Sequence, residues 1–146
     1  METESNNIRI ATPVDIERIV QQYPHTVQVI CKGEDTFTLV VEKDSEFVAF
    51  ASSFVREIPA PVDNRRECFI NVIDVFDIAL HGKGIGSGLV QMIIRVEAEM
   101  NCIQVRAYCE IDNIASHRLW LKNGFGISPM KHMDGSISGS FVTYRI

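Results

Sequence analysis

Several features that would announce a function are missing from this sequence. None of its four cysteines (Cys31, Cys68, Cys102, Cys109) stands in a CxxC spacing, and the four histidines (His25, His81, His117, His132) do not flank them at ligand spacing. No metal site, redox dithiol or disulfide framework is therefore expected. The cysteines read as reduced, mostly buried thiols of a cytoplasmic protein. Cations are also scarce: 14 Lys and Arg against 19 Asp and Glu leave a net charge of −5. Nucleic acid demands clustered cations and is not an expected partner. No apolar run approaches the roughly eighteen residues that span a bilayer. The polar start METESNNIRI lacks the apolar core of a signal peptide. A membrane is not an expected partner either.

What is present is an ordinary globular composition. With 146 residues, 46% of them hydrophobic and 23% charged, the chain suits one domain over 1–146 with a real core. IRI at 8–10 reads as a strand, and ATPVD turns into a helix with Thr12 as N-cap, Pro13 first and Asp15 in the first turn. That helix ends before Pro24. TFTLVVE (36–42) and EFVAFASSFV (46–55) read as strands of a hairpin turned by KDS. PAPVDNRR (59–66) is a loop, and CFINVIDVFD (68–77) reads as a strand buried on both faces.

Further along, SGLVQMIIRVEAEM (87–100) sets Leu89, Ile93, Val96 and Met100 on one helical stripe, and CIQVRAYCE (102–110) is another strand. DNIASHRLWLKN (112–123) reads as a capped helix stopped by Gly124. A weaker strand lies within 126–138, ending in a DGS turn, and GSFVTYRI (139–146) closes the chain. A strand, a glycine-rich turn, a helix and a strand in succession over 68–110 predict a βαβ unit with parallel strands.

The turn in that unit is HGKGIGSG, residues 81–88, with glycines at 82, 84, 86 and 88. Glycine costs about 0.5–1 kcal/mol against alanine inside a helix, so four at a helix start need a reason. Glycines at such a junction let backbone N–H groups turn toward an anion, and the helix N-terminus adds about 0.3–1 kcal/mol of dipole attraction. Spacing excludes two nucleotide-binding versions. The GxGxxG fingerprint needs a third glycine where Ser87 or Leu89 stands, and the Walker pattern needs Ser or Thr where Gly84 follows Lys83.

HGKGIG does resemble the [Q/R]xxGx[G/A] pyrophosphate loop of the GNAT acetyltransferase superfamily. VFDIAL before it resembles that family's strand end, with Phe76 in the usual valine place, and NIASHRLWLKNGF (113–125) resembles its N..A..LY..xGF segment. The opening IRIATPVDIERI is similar to its first strand and helix. The resemblance implies an α/β (α+β) fold: a mixed, mostly antiparallel central sheet of six or seven strands, helices on both faces, and a parallel βαβ acyl-CoA site. It implies acetyl-CoA as co-substrate and a primary amine of a small molecule or peptide as acceptor, with direct transfer in a ternary complex. Homodimers are common among such relatives.

The roles it implies fall on particular residues. Gly82, Gly84, Gly86 and Ser87 would offer backbone N–H groups to the pyrophosphate, with the His81 and Lys83 side chains beside them. Gly88 reads as a close-packing residue. Asp74, Val75 and Phe76, at the strand end, would meet the pantetheine and thioester, and Asn113 would hydrogen-bond the pantetheine arm. Two residues depart from the family pattern. His81 replaces Gln or Arg, although an imidazole still donates to phosphate and is partly cationic in mild acid. Trp120 replaces the tyrosine that usually protonates the leaving thiolate, and an indole N–H cannot give up a proton near neutral pH.

The proton acceptor is open at this level. Ile70 and Val72 stand where some relatives carry acidic or histidine bases. Asp74, the only carboxylate on its strand face, reads as a base acting through water, as an anchor for the substrate cation, or as a residue bonded to a nearby loop. Glu110 is a second candidate and also reads as a surface or helix N-terminal charge. Tyr108, Ser116 and Tyr144 are the groups able to stand in for the missing acid, each also readable as packed or capping. A non-catalytic acyl-CoA-binding module is the rival reading, favoured by Trp120 and the apolar Ile70 and Val72.

Overall fold

The computed structural model describes residues 7–58 and 65–146. The chain start through Asn6 and most of the loop expected at 59–66 lie outside the described residues. Seven strands and three helices follow in the order β1 (Ile8–Ile10), α1 (Pro13–Gln22), β2 (Thr36–Lys43), β3 (Glu46–Glu57), β4 (Arg66–Val75), α2 (Ile85–Glu99), β5 (Cys102–Glu110), α3 (Ile114–Lys122), β6 (Gly126–Lys131) and β7 (Ile137–Arg145). Short 3-10 turns occupy Pro24–Gln28 and Ile78–Leu80. The strands form one sheet in the order β1-β2-β3-β4-β5-β7-β6. β4 and β5 are parallel and joined through α2, as the βαβ reading predicts, while β1–β2, β2–β3, β5–β7 and β6–β7 are antiparallel. No described helix is long and apolar enough to cross a membrane.

Contacts divide the chain into two compact units, one of described residues up to Phe54 with Asn71–Ile93, the other of Val55–Ile70 with Ile94–Ile146. In the first unit, Thr12 caps α1 in a full capping box with Asp15, whose side chain accepts from the Thr12 backbone N–H at 2.8 Å. Asp15 is buried and bonded to the Arg9 guanidinium, Nη2 to Oδ1 at 3.0 Å. Arg9 first, and the Thr12 N–H after it, hold that carboxyl well below the usual range against the opposing effect of burial. Ile19 of α1 joins Ile30, Val40, Phe47 and Phe50 in the core, and Val72 and Phe76 of the β4 end pack against them.

In the second unit the β5–β7 ladder runs from Gln104↔Arg145 to Glu110↔Gly139. Glu67 is buried there. Burial works to raise its pKa, but bonds from Gln104 at 2.7 Å, Arg56 at 2.7 Å and Arg106 at 3.0 Å outweigh it and keep the carboxyl ionised below its ordinary value. Glu97 is fully buried with a different outcome, since burial pushes its pKa up. One of its oxygens accepts from the Cys102 thiol at 2.9 Å, and the other is without a partner among the described residues.

The main difference from the sequence reading lies in β4. The strand runs 66–75 rather than 68–77, and only its first half is covered on both faces. Its register with β5 runs from Arg66↔Cys102 to Ile70↔Ala107. Beyond that Asn71 is exposed and Val72, Ile73, Asp74 and Val75 are half-buried, so the apolar run does not mean full burial at the strand's C-terminal end. α2 begins at Ile85, two residues earlier than its apolar stripe suggests, so Gly86 and Gly88 are helical.

Candidate functional site

The C-terminal end of β4 and the glycine stretch lie in the first unit. After Val75 the chain leaves the strand, makes the 3-10 turn capped by Asp77 Oδ1 on the Ala79 N–H (3.0 Å), and enters 81–84 as open backbone. Gly82 and Gly84 have φ of +77° and +88°, values an L side chain rarely adopts. A Cβ built on either would meet no atom within 4 Å. The two glycines are therefore needed for the backbone path and not for packing, and the surface before them is clear. α2 starts at the next residue, Ile85, with its first N–H groups directed back over the loop. Four exposed residues, His81 to Gly84, thus lead into a fifteen-residue helix whose N-terminal dipole attracts anions.

Gly88 differs from these two. A Cβ there would stand 3.1 Å from Ile8 Cδ1, which fits the close-packing role read from the sequence. The His81 ring reaches back over the loop, with Nε2 2.9 Å from the carbonyl oxygen of Val75. A carbonyl only accepts, so Nε2 carries the proton and Nδ1 is the nitrogen that remains for a ligand. Lys83 lies in the loop and is exposed, and Ser87 lies in the first turn of α2 and is half-buried. An open cavity of about 530 Å³, lined by Val41, Glu42, Ser45, Val48 and Ile85 among others, contains none of the residues singled out from the sequence.

On the other side of β4's end stands a group that the sequence reading missed. Phe76 lies flat against Tyr23, with ring centroids 3.8 Å apart and planes 7° from parallel, and it also stacks on buried Phe50 at 5.5 Å. His25 stands edge-on to both Tyr23 and Phe76, and its Nε2 is 3.3 Å from Asp74 Oδ2. Asp74 therefore has its partner on the Pro24–Gln28 turn, and of its three sequence readings the loop-bonded one describes its contact. No local pattern reveals the pair, because 49 residues separate its members. A Tyr-Pro-His run just past a helix end is the one hint the sequence offers.

The second unit holds the other singled-out residues. Asn113 is the N-cap of α3, its Oδ1 accepting from the Ser116 N–H at 3.0 Å, so Nδ2 is the group left for a ligand. Trp120 is 4% exposed, packs on Phe125 at 4.9 Å, and spends its only donor on Ser116 Oγ at 3.0 Å. Ser116 thus satisfies the only donor of Trp120. Tyr144 packs against Phe125, and Tyr108 is bonded to Ser138 Oγ at 2.9 Å, which in turn lies 3.0 Å from His132 Nε2. Glu110 is exposed at the end of β5. Among the described residues no group of three or more His, Cys, Asp or Glu side chains is placed to hold a metal ion.

Comparison with known proteins gives the arrangement its context. The model of a family described as the Acetyltransferase (GNAT) family matches residues 9–125. Among solved structures, NAA60 of Arabidopsis thaliana in complex with acetyl-CoA superposes with a TM-score of 0.73 at 14% identity, covering 95% of this chain and 97% of that one. The ribosomal-protein-S18-alanine N-acetyltransferase of Escherichia coli gives 0.69 at 16% identity, covering 95% and 92%. yncA of Salmonella typhimurium with its cofactor acetyl-CoA gives 0.71 at 21%, covering 94% and 92%. At these identities the structures speak for the fold. No curated protein is matched by the sequence.

Proposed function

This chain belongs to the acetyltransferase (GNAT) family, and on that premise we propose that it transfers the acetyl group of acetyl-CoA directly to a primary amine of a small molecule or peptide. The observation that carries the reading is the pair of positive-φ glycines, 82 and 84, open to solvent at the start of α2 and next to the β4 end. Such backbone suits pyrophosphate, which gains from several N–H donors at once. The family match over residues 9–125 includes parts of both compact units, which supports the reading of a single acetyltransferase domain.

The roles follow from what each group can do. The backbone of Gly82 to Ser87 holds the pyrophosphate, with Lys83 Nζ beside it and His81 Nδ1 donating to it only as part of an imidazolium. Backbone groups of Asp74, Val75 and Phe76 meet the pantetheine and the thioester, and the family resemblance alone assigns Asn113 Nδ2 to the pantetheine arm. The acceptor arrives as an ammonium with a pKa near 10.4 and must lose a proton before its nitrogen can attack. Asp74 is the carboxylate at that end of β4. Trp120 acts by packing, not as an acid. An alkyl thiol with a pKa near 8.5 leaves tolerably as thiolate, so transfer survives without the tyrosine. The ribosomal-protein-S18-alanine N-acetyltransferase supports a peptide amine as one class of acceptor by its name alone.

Thiol release from acetyl-CoA over a panel of small amines and peptides tests this reading. Amine-dependent release that saturates in both substrates is the expected result. Saturable acetyl-CoA binding with no release on any amine would instead support the non-catalytic module.

A further inference from the structure

We propose that His25, held by Asp74, takes the proton from the acceptor amine, so that Asp74 is a positioning residue and His25 the catalytic base. The proposal rests on the acetyl-transfer reading above and deepens it. Six contacts carry it, all within the first unit.

Pro24 ends α1 and starts a 3-10 turn that is tied down at both ends. Thr26, fully buried, donates its hydroxyl to the Tyr23 carbonyl at 2.7 Å, and Asn71 Nδ2 of β4 donates to the Val29 carbonyl at 2.9 Å. Tyr23 is stacked flat on Phe76. His25, edge-on to that stack, has its ring plane set by the two aromatics and its Nε2 set by Asp74. A carboxylate accepts, so Nε2 donates and Nδ1 presents its lone pair. The His25 side chain is 64% exposed and that of Asp74 35%. An incoming ammonium can therefore reach Nδ1 directly, while Asp74 immediately precedes Val75, whose carbonyl His81 contacts.

Stability does not account for this placement. An exposed ion pair adds little to stability, so the fold has little need of it. A 3.3 Å separation is loose for a charge-assisted bond, and catalytic hydrogen bonds are commonly long before substrate arrives. In the reaction, one ammonium proton passes to His25 Nδ1. The freed amine nitrogen bonds to the acetyl carbonyl carbon, the carbon–sulfur bond breaks, and its electron pair leaves on the CoA sulfur. The remaining surplus N–H proton goes to that thiolate through solvent, and His25 returns its own proton to water. No oxidant, reductant or further co-reactant is required.

The test uses the full chain with acetyl-CoA and the best acceptor of the amine panel. His25→Ala should lower kcat by about 10²–10⁴-fold, leave acetyl-CoA affinity within about twofold, and regain activity on adding imidazole. Asp74→Asn should lower kcat by a smaller factor without imidazole rescue. In long-range 15N NMR of the wild type in alkaline solution, His25 should appear as the Nε2–H tautomer. His25→Ala turning over at the wild-type rate overturns the proposal while leaving acetyl transfer standing, as does a His25 Nδ1–H tautomer. A wild type that binds acetyl-CoA and acetylates nothing overturns the transfer reading itself, and the base with it.

Discussion

The imidazole of His81 closes back on the strand that precedes it, its Nε2–H donating to the Val75 carbonyl oxygen across 2.9 Å. This one contact ties the glycine loop to the β4 end and fixes which ring nitrogen faces outward. His81→Ala removes both effects. Val75 is half-buried, so water replaces the lost donor and the cost to folding should stay near 0.5–1.5 kcal/mol. For the imidazolium form, the one with an Nδ1–H to donate, the substitution should lower acetyl-CoA affinity by roughly tenfold, the equivalent of about 1.4 kcal/mol. Calorimetric titration checks this, and unchanged affinity would remove His81 from the phosphate site.

Gly88→Ala separates packing from binding in the same stretch. Alanine gains about 0.8–1 kcal/mol of helix propensity over glycine, while the new methyl would press on Ile8 Cδ1 at 3.1 Å. That atom is the tip of a side chain and gives way by a few tenths of an ångström. Chemical denaturation should show a change within about 1 kcal/mol, and acetyl-CoA affinity should equal that of the wild type. A lost affinity would mean that Gly88 faces the ligand.

Trp120→Phe tests whether the indole has a chemical role. Its N–H is engaged by Ser116 and its ring by Phe125. Phenylalanine keeps most of the packing and deletes the donor, so kcat should remain within about threefold of wild type, well short of the 10²–10⁴ that a general acid supplies. A loss of that larger size would place the indole N–H in the reaction.

Glu97 should make stability depend on pH in an unusual direction. Its folded-state pKa is raised, chiefly by burial, above the value of about 4.3 for an unfolded glutamate. As pH rises past that value the unfolded chain ionises first, so the folded state loses stability until its own pKa is reached. The difference in unfolding free energy, wild type minus Glu97→Gln, should fall with rising pH above about 4.3, by at most about 1.4 kcal/mol per pH unit. Denaturation series at pH 4, 6 and 8 measure it, and parallel curves would contradict it. The neighbouring Cys102 thiol, pushed up to about 12 by burial and then by Glu97, stays protonated throughout.

Local signals make much of this chain legible in its sequence. The Thr12 cap, the hairpin turned by KDS, the βαβ unit and the capped helix before Gly124 each rest on short-range sequence signals, and all are present. The backbone of the glycine loop is legible for the same reason, because the glycines that take positive φ at 82 and 84 stand close together in sequence. The lower burial of β4 beyond Ile70 is not legible, since Val72, Ile73 and Val75 look the same in sequence whether covered or half-covered. His25 is illegible for a related reason: its meaning comes from Asp74 and Phe76, which only the fold brings to it.

Titration of acetyl-CoA into the wild type and into Gly84→Glu is the most direct test of the central claim that residues 82–87 hold the donor's pyrophosphate. Gly84 is exposed and a Cβ there touches nothing, so the substitution costs only the strain of its positive φ, about 1–2 kcal/mol. The account predicts saturable one-to-one binding by the wild type and no detectable binding by Gly84→Glu, with circular dichroism showing both folded. A folded Gly84→Glu that binds acetyl-CoA as tightly as the wild type would contradict it.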